Sequence, residues 1–163
     1  MKKMAIVAVL LAGVAAVLVL FGQISLVGQG NWPSRFQSNG ERIYFTASSA
    51  SGDAINPRGG NTHMGMMSNS GCASCHGADR LGRRLMPNFW TSAPPLTPAA
   101  LFGEHDDDGH GDHDAYSDVS LRRAITEGID AGGAPLDRAM PRWSMSEADL
   151  ADVIAFLKSP VPE

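Results

Sequence analysis

The chain has only two cysteines in 163 residues, at positions 72 and 75. That scarcity excludes a multi-bridge disulfide framework, and a closed zinc site would need a second Cys or His pair at matching spacing. No run alternates apolar and polar residues for long, which argues against an extensive half-buried sheet. Nucleophile-and-base signatures, phosphate-cradling glycine loops and a second cofactor motif are also missing, so the sequence predicts no independent enzymatic activity. Charge is absent where it would matter most: residues 5–21 carry none, and residues 104–118 hold no Lys or Arg. That second stretch instead crowds Glu104, Asp106, Asp107, Asp108, Asp112, Asp114 and Asp118 together. With a net charge of −4, the balance argues against a nucleic-acid partner.

The two cysteines stand as Cys72-Ala73-Ser74-Cys75-His76. This Cys-x-x-Cys-His spacing attaches a c-type haem: each thiol can add to one vinyl group, and the adjacent imidazole lies close enough to bind the iron. Cys72 and Cys75 are therefore the predicted thioethers and His76 the predicted proximal ligand of one covalent haem c. Other readings of these residues fit less well. A thioredoxin-like pair wants a strand before it and a helix starting at it, whereas residues 60–71 are rich in glycine and methionine. A structural disulfide would close a tiny loop with little entropic benefit and would not require His76.

At the N-terminus Lys2 and Lys3 precede the apolar run of residues 4–21. As a helix that run would measure about 27 Å, close to the roughly 30 Å of a bilayer core. A signal-peptide core is shorter and ends in a small-x-small site, which residues 23–28 do not offer. Residues 1–28 are accordingly read as a membrane anchor or signal segment, residues 29–38 as a short polar tether with Trp32 near the interface, and residues 39–163 as the haem domain. The two lysines predict a cytoplasmic N-terminus and a haem domain on the periplasmic or extracytoplasmic side of the cytoplasmic membrane.

Within that domain, residues 39–45 predict a short helix turning Ile43, Tyr44 and Phe45 inward, and residues 47–71 read as loop. Helical spacing of Leu121, Ala124, Ile125 and Ile129 predicts a second helix, ended near Gly128, with Arg122, Arg123 and Glu127 on its wet face. The last helix is the clearest. Ser146 stands at its N-cap with Asp149 three residues on, then Leu150, Val153, Ile154 and Leu157 form one stripe, and Ser159-Pro160 stops it. The expectation is a small all-α domain around one haem, which supplies part of the core.

What faces His76 across the iron decides the chemistry, and Met140 in Met140-Pro141-Arg142-Trp143 is the candidate, against the alternative that it merely fills core space. Here the sequence resembles the monohaem class I cytochromes c. The residues that carry the likeness are Gly40 with Tyr44, Cys72 to Gly77, Met140-Pro141, and the closing helix from Ser146 to Leu157, over roughly residues 39–159. Arg122 to Gly128 also look like the family's middle helix. The resemblance implies Met140 as distal ligand and an electron carrier, one-electron transfer by a His/Met-ligated haem. The expected anchor, by confining the domain near one surface, adds partners in the same membrane: a quinol-oxidising complex and a terminal oxidase or reductase, or the chain is a haem subunit of one of them.

Two stretches depart from the family pattern. Residues 47–71 form a long insertion containing His63, Met64, Met66 and Met67, expected to cover a haem edge. Residues 105–114 hold His105, His110 and His113 among aspartates, a candidate second-metal loop. Arg80, Arg83 and Arg84 follow the haem motif, and at least one is expected to pair with a haem propionate. A five-coordinate haem that binds or senses ligands, and copper handling by the Met and His loops, remain the alternative functions.

Overall fold

The computed structural model describes residues 32–60, 71–85, 90–103 and 115–161. The chain divides into two compact units, Met1–Pro33 and Ser34–Glu163, and the second carries the fold. The apolar run of residues 4–21, the Met-rich residues 61–67 and the candidate metal loop with His105, His110 and His113 lie outside the described residues. Among the described residues no helix is long and apolar enough to cross a membrane.

Five helices appear in that described part: α1 Asn39–Thr46, α2 Ala73–His76, α3 Pro98–Phe102, α4 Asp118–Thr126 and α5 Glu147–Lys158. Their starts are set by local chemistry. Ser38 Oγ accepts from the Glu41 amide, Thr97 from Ala100 with Pro98 in the first turn, Ser117 from Ser120, and Ser146 from Asp149. Each such cap satisfies a backbone N–H that the helix leaves open, worth about 1 kcal/mol. Gly128, just beyond α4, adopts φ +73°, the left-handed geometry that ends a helix without a Cβ penalty.

The core forms where α1 packs on α5. Gly40 permits the crossing: a Cβ there would overlap the Asp152 carbonyl and lie 2.9 Å from Phe156 Cβ. Around it Ile43, Tyr44 and Phe45 meet Leu150, Val153, Ile154 and Leu157, all buried. The Tyr44 and Phe156 rings lie 5.3 Å apart and Tyr44 meets Phe45 edge-on at 5.4 Å. Burying one such aliphatic or aromatic side chain stabilises the fold by roughly 1.5–3 kcal/mol. Leu121, Ala124 and Ile125 of α4 and Leu101 of α3 are buried as well.

A polar cross-link reinforces this crossing. Asp149, 2% exposed, accepts from Asn39 Nδ2 at 2.8 Å, Ser49 Oγ at 2.6 Å and Ser146 Oγ at 2.8 Å. Burial alone would raise its pKa, but these three hydrogen bonds favour the ionised form and hold it below the usual carboxylate value.

Three features differ from the sequence reading. First, the fold is mostly helical but includes two short antiparallel pairs: β1 Asn56–Arg58 with β4 Arg142–Ser144, and β2 Arg83–Arg84 with β3 Ser92–Ala93. Strands of two or three residues are too short to show a period. Second, the insertion is not all loop. Pro57 registers with Trp143 and Arg58 with Arg142, so it adds a strand beside the segment that follows Met140. Third, Arg123 does not join the wet face. Its Nη2 donates to the Asp130 carbonyl at 2.8 Å, and its Nε is buried without a partner among the described residues. Glu127 is exposed as expected, and Arg122 pairs with Glu147.

Candidate functional site

Cys72 is the N-cap of α2, and Cys75 and His76 lie within that single helical turn, so the two thiols and the imidazole fall within five consecutive residues. α1 pins that turn at both ends. The Gly71 amide donates to the Phe45 carbonyl at 3.4 Å, and a Cβ on Gly71 would overlap the Tyr44 carbonyl. Past the turn, the Tyr44 hydroxyl donates to the Gly77 carbonyl at 2.6 Å. That hydroxyl is buried, and burial raises its pKa well above the ordinary phenol value, so it stays a donor.

Both cysteines are free thiols. Burial, the largest influence, pushes the Cys72 thiol up to about 12. A thiol so hard to ionise is poorly suited to thioredoxin-like exchange, which needs an attacking thiolate. What the pair retains is its spacing.

His76 is 6% exposed, and its Nδ1 lies 2.8 Å from the Pro94 carbonyl oxygen. A carbonyl can only accept, so Nδ1 carries the proton and Nε2 keeps its lone pair. Burial lowers the His76 pKa, with the Pro94 contact opposing it in part, so the ring is neutral under ordinary conditions. A neutral imidazole with one nitrogen anchored to a backbone carbonyl is the form that ligates a metal. The segment around Pro94 is tied back to the residues that follow the haem motif: Ala93 pairs with Arg83, and the Leu96 amide donates to the Arg80 carbonyl at 2.8 Å. The sequence reading missed Pro94. Its contact spans eighteen residues, a separation at which no local pattern operates.

Met140 is half-buried in the segment between α4 and α5. It lines a cavity of about 760 Å³ together with Arg58, Gly60, Arg138, Trp143 and Leu150. Cys72, Cys75 and His76 do not line that cavity, so it borders the sulfur-bearing segment rather than the Cys-x-x-Cys-His turn. Arg142, also missed, organises this segment. Its guanidinium donates to the carbonyls of Met140, of Asp137 at 3.1 Å, of Leu136 at 3.0 Å and of Gly128 at 3.4 Å.

The arginines after the haem motif take different roles. Arg80, 1% exposed, turns away to the end of α5, where it donates to the carbonyls of Phe156 at 2.9 Å and Ser159 at 2.8 Å. It also lies 4.8 Å above the Phe156 ring. Its guanidinium is therefore committed to the protein and is not the propionate partner that its sequence position suggested. Arg83 and Arg84 are exposed in β2, beside Leu81, which is 64% exposed. Among the described residues no group of three His, Cys, Asp or Glu could hold a further metal ion.

The donor set fits a haem c. Two thiols at the required spacing, a buried imidazole with Nε2 open and a thioether from a separate segment supply two attachment points and two candidate axial ligands. A family model described as Cytochrome c matches residues 60–160. No curated protein and no solved structure matches the chain. The chain therefore belongs to the class I cytochrome c family, and its cofactor is a covalently bound haem c of the kind these proteins use to transfer electrons.

Proposed function

We propose that the chain is a membrane-associated electron carrier in which Cys72 and Cys75 attach the haem, His76 Nε2 binds one face of the iron and the Met140 sulfur the other. The observation that carries this reading is the His76 ring, buried, neutral and oriented by Pro94, next to two thiols with no disulfide between them. When bound, the haem supplies reversible one-electron exchange between ferrous and ferric iron. The chain's own residues do the rest. The α1 and α5 core fixes the Cys-x-x-Cys-His turn, Pro94 fixes the imidazole tautomer, and Arg142 with β1 holds the Met140 segment. Little rearrangement is required of such a scaffold when charge changes, which suits outer-sphere transfer.

Residues 4–21 supply the membrane association. Tethering near one surface raises the effective concentration of a partner in the same membrane. The reading places the haem domain on the extracytoplasmic side, serving a quinol-oxidising complex and a terminal oxidase or reductase, or forming part of one. Exposed Arg83, Arg84 and Leu81 next to the haem motif suit brief, charge-steered docking.

Optical spectra of protein matured in a host competent for haem attachment test the site. The parent should show the weak sulfur-to-iron band of the ferric state and resist carbon monoxide when reduced. Met140→Ala should lose the band and bind carbon monoxide readily. A parent that already lacks the band and takes up carbon monoxide would replace this reading with that of a five-coordinate haem protein. Membrane fractionation of the full chain, compared with one beginning after residue 28, tests the association.

A further inference from the structure

We infer that Arg142 is the positioning residue that keeps the Met140 sulfur on the iron, an inference that rests on the Met140 ligation proposed above. Four carbonyls, from Gly128, Leu136, Asp137 and Met140, converge on one guanidinium. They span the whole connection from the end of α4 to the ligand. The connection is also closed on itself, with the Leu136 amide donating to the Gly128 carbonyl at 2.8 Å and the Met140 amide to Asp137 at 3.2 Å. Arg142 therefore gathers into one rigid unit a segment that would otherwise be a glycine-rich loop.

The place for this guanidinium is built. Gly128 adopts φ +73°, and a Cβ there would overlap Arg142 Nε and Cζ. Only glycine gives both the backbone geometry and the space. On the opposite side, β1 of the insertion pairs with β4 in the register Arg58 to Arg142, and Gly60 approaches Pro141 so closely that a Cβ would stand 3.1 Å from Pro141 Cβ. Trp143, 8% exposed, anchors β4 in the core. The backbone of Arg142 is thus fixed by its neighbours while its side chain fixes the ligand segment.

The functional consequence follows from competition. A thioether is a neutral, weak donor, and its detachment is favoured by whatever conformational freedom the segment would gain. Clamping the segment removes that gain and keeps the local concentration of sulfur high. Lysine could supply the charge but not a planar fork with donors to four carbonyls.

The test is an imidazole titration of the ferric holoprotein, followed through loss of the sulfur-to-iron band, in the parent and in Arg142→Gln, Arg142→Lys and Gly128→Ala. Gly128→Ala unseats the guanidinium without removing it, so it serves if the Arg142 variants fold poorly. Losing charge-assisted hydrogen bonds should raise the apparent imidazole affinity about tenfold or more and weaken the band. Asn39→Ala, which breaks a contact from α1 to Asp149 and removes none of the hydrogen bonds that Arg142 makes, should lower global stability and leave imidazole affinity unchanged. Unchanged affinity in both Arg142→Gln and Gly128→Ala, or an equal rise in Asn39→Ala, overturns the inference. A parent without the band, binding imidazole no more weakly than Met140→Ala, overturns the ligation reading itself and this inference with it.

Discussion

Replacing Arg80 offers the sharpest check on how the fold is held. Its guanidinium caps the C-terminal end of α5 through the Phe156 and Ser159 carbonyls at 2.9 and 2.8 Å, adds a longer contact to Leu157 at 3.3 Å, and lies over the Phe156 ring. Those carbonyls are the negative end of the helix dipole, where a cation is favourable. Hydrogen bonds from a charged donor contribute roughly 1.5–3 kcal/mol each, and the ring contact about 0.5–2. Against these stands the cost of burying the guanidinium, several kcal/mol, which also lowers its pKa. The net loss expected for Arg80→Ala is about 3 kcal/mol, a large share of a typical stability of 5–15 kcal/mol. Arg80 also sits at φ +58°, where a side chain costs roughly 1–2 kcal/mol. Arg80→Gly should therefore be more stable than Arg80→Ala by about 1 kcal/mol, while Arg80→Lys should fall between Ala and the parent. Denaturant unfolding of the holoprotein, followed by helical circular dichroism, measures all three. An Arg80→Ala protein within about 1 kcal/mol of the parent, or an Arg80→Gly protein less stable than Arg80→Ala, would refute the capping account.

Acid should expose the role of Asp149. Its folded pKa lies below the unfolded value, so the folded state holds fewer protons and the stabilisation is fully present above about pH 3.9. It is lost as pH falls through the folded value; between about pH 4 and 2 the stability of the parent should therefore fall more steeply than that of Asp149→Asn, and parallel curves would count against the assignment. At the helix crossing, Gly40→Ala should cost about 1–3 kcal/mol because its Cβ would overlap the Asp152 carbonyl; a thermal melt unchanged from the parent would show that α1 and α5 do not meet there. Cys72→Ala combined with Cys75→Ala should yield protein without bound porphyrin and with little helix, since the apolar core is small. A cooperative melt with full helicity in that variant would show that the haem is not part of the core.

Features that act over a few consecutive residues are legible without the fold. Cys72, Cys75 and His76 carry their chemistry in a five-residue spacing. The ends of α5 follow from Ser146 and Ser159-Pro160, and the turn after α4 from Gly128, because caps and left-handed glycines act within one helical turn. The inward faces of α1 and α5 were legible for the same reason: amphipathic spacing is a local property. Where the long polar side chains go depends instead on packing between distant segments. Arg80 reaches a helix end nearly eighty residues away, and Arg123 turns inward to Asp130. Asp149 joins Asn39 and Ser49 across about a hundred residues. The insertion becomes a strand only because β4 lies beside it. A guanidinium or carboxylate can find its partners in many directions, and the choice among them is made by which carbonyls and hydroxyls the packed core brings within hydrogen-bond range, a distance that no sequence pattern contains.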